Sequence, residues 1–183
     1  MLRHAGIACS IDPAHIDEAS VKAAFAAEGA AADDCAEALA ELKARRISAR
    51  HPGALVIGAD QMLELDGAWL DKPPDLAQAR RHLQALSGKR HRLVCVAVVM
   101  RDGERLWHAT DAADLWVRPL GDDFIDDYLA RVGEAALASV GAYQLEGLGA
   151  QLFDRVQGDF FTVLGLPLLP LLRFLREQAV LPA

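Results

Sequence analysis

The chain of 183 residues is long enough to bury a sizeable hydrophobic core in one domain. Its formal charge of −7, without runs of lysine or arginine, argues against a general nucleic-acid or membrane surface, although an acidic protein can still hold a small cationic pocket. The sequence contains three cysteines, no apolar run of the ~20 residues that a membrane span needs, and no signal peptide. These features predict a cytoplasmic protein without a disulfide framework.

The first quarter of the chain is predicted to be mainly helical. It comprises the end of a helix at residues 2–6, a short strand at 7–11, an alanine-rich helix at 19–32 and a helix at about 34–50. Asp33 or Asp34 is the expected cap of the last of these. Two functions are open for Lys43, which shares a face with Leu39 and Ile47: its stem runs along apolar surface to water, or it presents a charge to a site.

Residues 55–61 form the most informative stretch. Their apolar run predicts a strand that is buried on both faces and carries Asp60 at its carboxyl end, where open α/β sheets bind ligands. After a hairpin turn at Asp66-Gly67, Lys72 follows and can return to the same cleft. An acid beside lysines suits an anionic, metal-bound substrate such as a nucleotide. The alternatives are a capping role for Asp60 and a solvated turn position for Lys72.

The remaining chain alternates helices and strands. The predicted elements are a helix at 73–86, strands at 90–101 and 104–118, a helix at 122–132, a glycine-rich loop at 133–149, strands at 150–156 and 160–164, and a helix at 165–178. This order predicts an α/β protein with a mixed sheet.

Familiar catalytic signatures are absent from the sequence. It contains no Gly-x4-Gly-Lys-Ser/Thr phosphate loop, no Gly-x-Gly-x2-Gly fingerprint and no Gly-x-Ser-x-Gly elbow, and its histidines lack the spacing of a zinc site. Glu18 can simply begin a helix, and Glu146 can be an exposed loop residue. No single residue therefore identifies a function.

Several motifs in a fixed order do resemble a known family. They are Asp-Glu at 17–18, Leu-x2-Leu-Lys-Ala at 39–44, Ile-Gly-Ala-Asp at 57–60, Leu-Asp-Gly at 65–67, Asp-Lys-Pro at 71–73, Leu-Ser-Gly at 86–88, Gly-Ala-Tyr at 141–143, Glu-Gly-Leu-Gly at 146–149 and Gly-Leu-Pro-Leu at 165–168. Over nearly the whole chain, this pattern resembles the Maf family, the septum-formation-like nucleotide pyrophosphatases.

The resemblance implies an elongated α/β fold over residues 1–183, a single two-lobed domain with a central mixed, twisted sheet, flanking helices and a cleft. It also implies hydrolysis of nucleoside triphosphates to monophosphate and pyrophosphate with Mg²⁺ or Mn²⁺, as housecleaning of non-canonical nucleotides. By position, Asp60 matches the proton acceptor, Lys43 and Lys72 match substrate-binding lysines, and Glu18 with Asp60 is expected to hold the metal. These roles agree with the chemistry, because water needs a positioned base and phosphates need compensating positive charge.

Two positions depart from the usual family pattern. Gln61 stands where threonine is common, and Glu146 where glutamine is common, which resembles the branch acting on 7-methylguanosine triphosphate. A carboxylate can accept hydrogen bonds from both N1–H and the 2-amino group of guanine, whereas uracil offers one ring N–H on that edge. We expect Gln61 and Glu146 to contribute to a guanine-type preference.

The amino terminus also differs from the family. Met1 aligns with the end of the family's first helix, so the family's first strand and its Ser-x2-Arg phosphate loop are expected to be lacking, leaving an open sheet edge or an apolar hole. Either the natural start lies upstream, or the chain is a shortened homologue. The second explanation supports an alternative function, a catalytically impaired nucleotide-binding homologue that regulates cell division. The expected partner is a nucleoside triphosphate, with no nucleic acid or membrane, and a homodimer is compatible with the family.

Overall fold

The computed structural model describes residues 1–182. The helices are α1 (Glu18–Ala27), α2 (Ala32–Ser48), α3 (Leu76–Leu86), α4 (Asp122–Val132), α5 (Phe160–Val163) and α6 (Leu168–Glu177). The strands are β1 (Val56–Leu65), β2 (Ala68–Leu70), β3 (Arg90–Arg101), β4 (Glu104–Val117) and β5 (Phe153–Gln157). Short 3₁₀ helices cover Arg3–Ala5, Gly133–Ala138, Val140–Ala142 and Leu148–Leu152.

The contacts divide the chain into two compact units. The first unit holds residues 1–61, 95–111 and the chain from residue 165 onward, and the second holds residues 62–94 and 112–164. Strands β1, β3 and β4 contribute residues to both units.

One five-stranded sheet has the order β2-β1-β3-β4-β5. The pairs β1–β2 and β4–β5 are antiparallel, and the two-residue turn at Asp102-Gly103 makes β3–β4 an antiparallel hairpin. The first unit contains the beginning of β1 and the end of β3, and the second unit contains the end of β1 and the beginning of β3. The two strands therefore run in opposite directions, so this pair is antiparallel too. The α/β class is confirmed.

The prediction of a mixed sheet was wrong, and the reason lies in the connection through α3. A strand–helix–strand pattern suggests parallel neighbours. Here α3 links β2 to β3, which do run in the same direction, but β1 lies between them in the sheet. The crossover therefore creates no parallel pair.

In the first unit, α2 packs directly on β1. Leu39, Ala40 and Ala44 of α2 are fully buried. At Gly58 a Cβ atom would overlap the carbonyl oxygen of Ala40 and would lie 2.7 Å from the backbone nitrogen of Ala44. The helix can approach this strand closely because residue 58 has no side chain.

In the second unit, α3 and α4 cover a separate hydrophobic core. Leu83, Leu86 and Ile125 from these helices are almost completely buried, together with Leu115 of β4. Burying such side chains contributes roughly 1.5–3 kcal/mol each relative to leaving them exposed.

Three local predictions were wrong. Residues 7–11 form no strand. Residues 160–163 form α5 rather than a strand, because the Asp159 carboxylate accepts hydrogen bonds from the backbone N–H of Phe161 (2.9 Å) and Thr162 (3.3 Å) and so begins a helix. Helix α2 is capped at Ala31 without a side-chain bond, and Asp33 and Asp34 lie in its first turn.

The first half of β1 borders an opening in the first unit. Strand β2 pairs only with residues 63–65, so residues 56–62 have no strand neighbour on that side in the part of the chain that is described. Beside them lies a largely apolar cavity of about 530 Å³, lined among others by Ile7, Val56, Leu166 and Leu175. None of the helices within residues 1–182 has the length and apolar content needed to cross a bilayer.

Candidate functional site

Helix α1 brings Glu18 to the site through its amino-terminal cap. The Asp17 carboxylate accepts hydrogen bonds from the backbone N–H of Ser20 (3.1 Å) and from its hydroxyl (2.7 Å), which begins α1 at Glu18. These hydrogen bonds lower the pKa of Asp17. The cap thus fixes the position of Glu18 in the first turn.

Helix α2 contributes Lys43, which points toward β1. Its Nζ donates a hydrogen bond to Oδ1 of Asp60 at 2.6 Å and lies 2.8 Å from Oε1 of Glu18. The structure therefore supports the second interpretation of Lys43, in which the side chain presents its charge to a site rather than only running along apolar surface to water. We call Glu18, Lys43 and Asp60 the charged triad.

Asp60 lies in the middle of a continuous strand, not at its carboxyl end as the sequence predicted. The apolar run ends at Asp60, but β1 continues to Leu65, because Met62, Leu63 and Leu65 are buried and residues 63–65 pair with β2. Side chains two positions apart share a face of a strand, so Asp60 lies on the same face as Gly58, the face on which α2 packs. This explains how Lys43 reaches it.

Burial and charge shape the electrostatics of the triad. The Asp60 side chain is only 6% exposed, and this burial raises its pKa even though Lys43 pulls in the opposite direction. Burial by itself would lower the pKa of Lys43, but the charges and hydrogen bonds of Asp60 and Glu18 outweigh it and raise that pKa. The ammonium is thus held charged, while the Asp60 carboxylate is a stronger proton acceptor than an exposed one.

One atom of the triad has unused hydrogen-bonding capacity. Oδ2 of Asp60 is buried and has no hydrogen-bond partner within the described residues. A buried acceptor without a partner is costly in a folded protein and calls for an explanation. Because Glu18 is 44% exposed, the triad is open to solutes on one side.

A cavity of about 390 Å³ borders the triad. Glu18 and Lys43 line it, together with the segment 12–16 and residues 57–59 of β1. Asp60 itself does not line this cavity. Its size lies within the range of small-molecule sites.

The other three predicted site residues lie elsewhere in the fold. Gln61 follows Asp60 in β1, and its amide oxygen lies close to the backbone of Gly165, 3.8 Å from where a Cβ at that position would be. Lys72 and Glu146 belong to the second unit, where both are exposed in loops. Their roles at the site stay predictions.

The triad fits a divalent cation that is shared with a substrate. The described residues contain no cluster of three or more histidine, cysteine, aspartate or glutamate side chains that could hold a metal ion. Mg²⁺ is commonly held by one or two carboxylates and by substrate phosphates rather than by a full set of protein ligands. Glu18 and the orphaned Oδ2 of Asp60 supply that smaller set of oxygens.

Two residues that build this site had no predicted structural role. Gly58 allows α2 to approach β1, and Asp17 starts α1 at Glu18. Both had a signal: a glycine within a buried strand marks close backbone approach, and aspartate three residues before serine suits a helix cap.

The sequence matches a known protein family and several named relatives over almost its whole length. The family described as "Maf-like protein" matches residues 1–178. A "nucleoside triphosphate pyrophosphatase" of Paramagnetospirillum magneticum is 59% identical over 181 residues, which cover 99% of this chain and 93% of that protein.

Other relatives carry either a second name or the same one. A "7-methyl-GTP pyrophosphatase" of Rhizobium etli is 51% identical over 177 residues, which cover 97% of this chain and 89% of that protein. A "nucleoside triphosphate pyrophosphatase" of Granulibacter bethesdensis is 52% identical over 181 residues, with 99% and 92% covered. The match extends over almost the whole chain, and the protein therefore belongs to the family of Maf-like proteins.

Proposed function

We propose that this protein is a nucleoside triphosphate pyrophosphatase, which hydrolyses nucleoside triphosphates to monophosphate and pyrophosphate and removes non-canonical nucleotides. The observation that carries the proposal is the charged triad, in which Lys43 touches both Glu18 and Asp60 and leaves Oδ2 of Asp60 without a partner. The names of the relatives at 50–59% identity support the same activity.

Asp60 acts as the proton acceptor in this proposal. A water oxygen adds to the α-phosphorus, and its proton passes to the Asp60 carboxylate. The bond between the α-phosphorus and the bridging oxygen then breaks, and pyrophosphate leaves with the electron pair. A positioned general base of this kind contributes about 10²–10⁴-fold to a rate. The raised pKa of Asp60 improves its basicity.

Lysines compensate the charge of the triphosphate. Lys43 is held in its ammonium form, and Lys72 is assigned a second phosphate contact by the Asp-Lys-Pro motif. Glu18 and Asp60 would hold Mg²⁺ or Mn²⁺, which when bound supplies Lewis-acid stabilisation of negative charge on phosphate oxygens.

The base preference is assigned to Gln61 and Glu146. The carboxylate of Glu146 suits guanine and a cationic methylated base, and we infer that 7-methyl-GTP is preferred over UTP and dTTP. The name "7-methyl-GTP pyrophosphatase" on a relative at 51% identity supports this, while relatives at 59% and 52% identity carry the broader name.

The first test measures pyrophosphate release with Mg²⁺ or Mn²⁺. Replacing Asp60 with asparagine should lower kcat at least about 100-fold, because the amide accepts no proton. Asp34→Asn is the matched control, since Asp34 is an exposed aspartate in the first turn of α2, and it should retain activity. Full activity of the Asp60→Asn variant would exclude the proposed mechanism.

The second test compares 7-methyl-GTP, GTP, UTP and dTTP side by side. We expect the highest kcat/KM with 7-methyl-GTP. Glu146→Gln should reduce this preference at least about tenfold, because an amide has one acceptor oxygen where the carboxylate has two. Glu134→Gln alters an exposed acid of the same unit and should leave the preference unchanged. A clear preference of the unaltered protein for UTP or dTTP would contradict the assignment.

The alternative function, nucleotide binding without turnover, predicts a different result in the first assay. Tight binding of a nucleotide with no pyrophosphate release would favour it. The contacts of Lys43 with both Asp60 and Glu18 support the enzyme instead. We further propose a cytoplasmic location, in keeping with a nucleotide substrate and an odd number of cysteines.

A further inference from the structure

Lys43 occupies the position between two carboxylates. Its ammonium lies 2.6 Å from Oδ1 of Asp60 and 2.8 Å from Oε1 of Glu18, so one positive charge is shared by two negative ones. The lysine side chain is 21% exposed. Because the side chain is partly exposed, its ammonium group can move toward solvent. The backbone of Lys43 stays fixed, because α2 packs closely on β1 at Gly58.

The two carboxylates are also the oxygens that would hold a divalent cation. Oδ2 of Asp60 is buried without a partner, and among residues 1–182 no third acidic, histidine or cysteine side chain completes a metal site with them. A cation with only two protein carboxylates needs further ligands, which Mg²⁺ usually finds in substrate phosphates and water. In the protein without nucleotide, a cation would also meet the positive charge of Lys43.

We propose that Lys43 is a placeholder for the divalent cation, which keeps the carboxylate pair closed to metal until a nucleotide arrives. This inference rests on the proposed function. When the metal nucleotide binds, the Lys43 ammonium moves from the carboxylates to phosphate oxygens, and Glu18 and Asp60 would then be free to hold the metal. Each negative group then keeps a positive partner throughout the exchange, and free metal binds weakly.

The test is a titration with Mn²⁺ alone, followed by the loss of the free Mn²⁺ signal in electron paramagnetic resonance. The unaltered protein should bind Mn²⁺ weakly without nucleotide. Lys43→Met keeps an unbranched side chain of similar length and removes its charge. It should bind Mn²⁺ at least about tenfold more tightly, because a tenfold gain in affinity needs only about 1.4 kcal/mol of relieved repulsion. Lys43→Arg keeps the charge and should stay as weak as the unaltered protein.

Two further variants locate the effect. Lys22→Met removes a neighbouring lysine that influences Asp60 more weakly than Lys43 does, and it should change the affinity much less. Adding Glu18→Gln to Lys43→Met should abolish the gain. Lys43→Gln serves as a second neutral variant if Lys43→Met does not fold, and circular dichroism checks the fold of each protein.

The outcomes separate the placeholder from the proposed function. If folded Lys43→Met and Lys43→Gln bind Mn²⁺ no more tightly than the unaltered protein, or if Lys43→Arg gains as much as they do, the placeholder is wrong even when the unaltered protein releases pyrophosphate. If the gain appears but the unaltered protein hydrolyses no nucleotide, the proposed function fails and the competition between Lys43 and the metal for the two carboxylates stands.

Discussion

Two polar clusters in this protein each bury a side-chain atom that has no hydrogen-bond partner in the described chain, but one cluster is charged and the other is neutral. The charged triad in the first unit keeps Asp60 ionisable beside the ammonium of Lys43. In the second unit, His91 lies 2.6 Å from the hydroxyl of Tyr143, and both rings pack around Phe153. We call these three residues the aromatic cluster. Each cluster contains one buried atom without a partner in the described chain, Oδ2 of Asp60 and Nδ1 of His91.

The difference lies in charge and access. Burial lowers the pKa of His91 to about 4, so the ring is neutral at pH 7. Burial also raises the pKa of Tyr143, so its hydroxyl keeps its proton. The aromatic cluster is thus neutral and closed, whereas the triad is charged and reaches solvent through Glu18. An orphaned buried atom therefore points to a functional site only where counter-charges and an opening accompany it.

The largest expected effect is a loss of stability in acid that originates in the aromatic cluster. The folded protein binds a proton at His91 only near pH 4, whereas the unfolded chain binds it near pH 6.5. Stability from this residue is present above pH 6.5 and is lost as the pH falls toward 4, by about 3 kcal/mol in total. Denaturant unfolding at pH 7 and pH 4 measures this change.

A variant isolates the contribution of His91 from other titrating groups. His91→Gln removes the proton uptake, so its free energy of unfolding should fall by about 3 kcal/mol less than that of the unaltered protein over the same range. His108→Gln is the matched control, because His108 is exposed, and it should follow the unaltered protein. An equal loss in His91→Gln and the unaltered protein would refute the assignment.

The next effect concerns how the charged triad is held. Gly58→Ala places a methyl group 2.7 Å from the backbone nitrogen of Ala44, next to Lys43 in α2. Helix α2 must shift, which should cost about 1–3 kcal/mol of stability. The same shift moves the Lys43 ammonium relative to Asp60, and a misplacement of about 1 Å can lower a rate by as much as 10²-fold. Thermal unfolding and pyrophosphate release measure the two effects.

Gly121→Ala provides the control for this change. Gly121 precedes α4 with φ of −80°, and a Cβ there would have no atom within 4 Å. We expect it to retain activity and to lose little stability. If Gly58→Ala behaves like Gly121→Ala, close packing of α2 on β1 does not position the triad.

The sequence predicted the parts of this comparison that depend on local pattern. Strands at 90–101 and 104–118 were predicted almost to the residue, because the Asp102-Gly103 turn separates two β-rich runs. Lys43 was singled out because a charge on an apolar stripe is unusual, and it does face Asp60.

What the sequence could not predict depends on contacts between distant segments. Lys43 and Asp60 meet only because Gly58 admits α2, and no periodicity encodes that approach. The position of β1 between β2 and β3 likewise follows from the whole sheet rather than from the α3 crossover. The apolar run at residues 160–163 suggested a strand, but the Asp159 cap makes these residues a helix.

The smallest effect sharpens the comparison from the side of the aromatic cluster. Tyr143→Phe removes the hydroxyl that lies 2.6 Å from Nε2 of His91 and leaves a second buried ring nitrogen without a partner. Such a loss costs about 1–3 kcal/mol, because the nitrogen is desolvated and no hydrogen bond compensates.

Tyr128→Phe is the matched control: the Tyr128 hydroxyl donates to the carbonyl of Ala142 at 3.1 Å, and its removal leaves His91 unaffected. In denaturant unfolding, Tyr143→Phe should also begin to lose stability at a different pH from the unaltered protein, whereas Tyr128→Phe should keep the original pH dependence. Equal pH dependence in all three proteins would mean that the Tyr143 hydroxyl does not influence proton binding by His91.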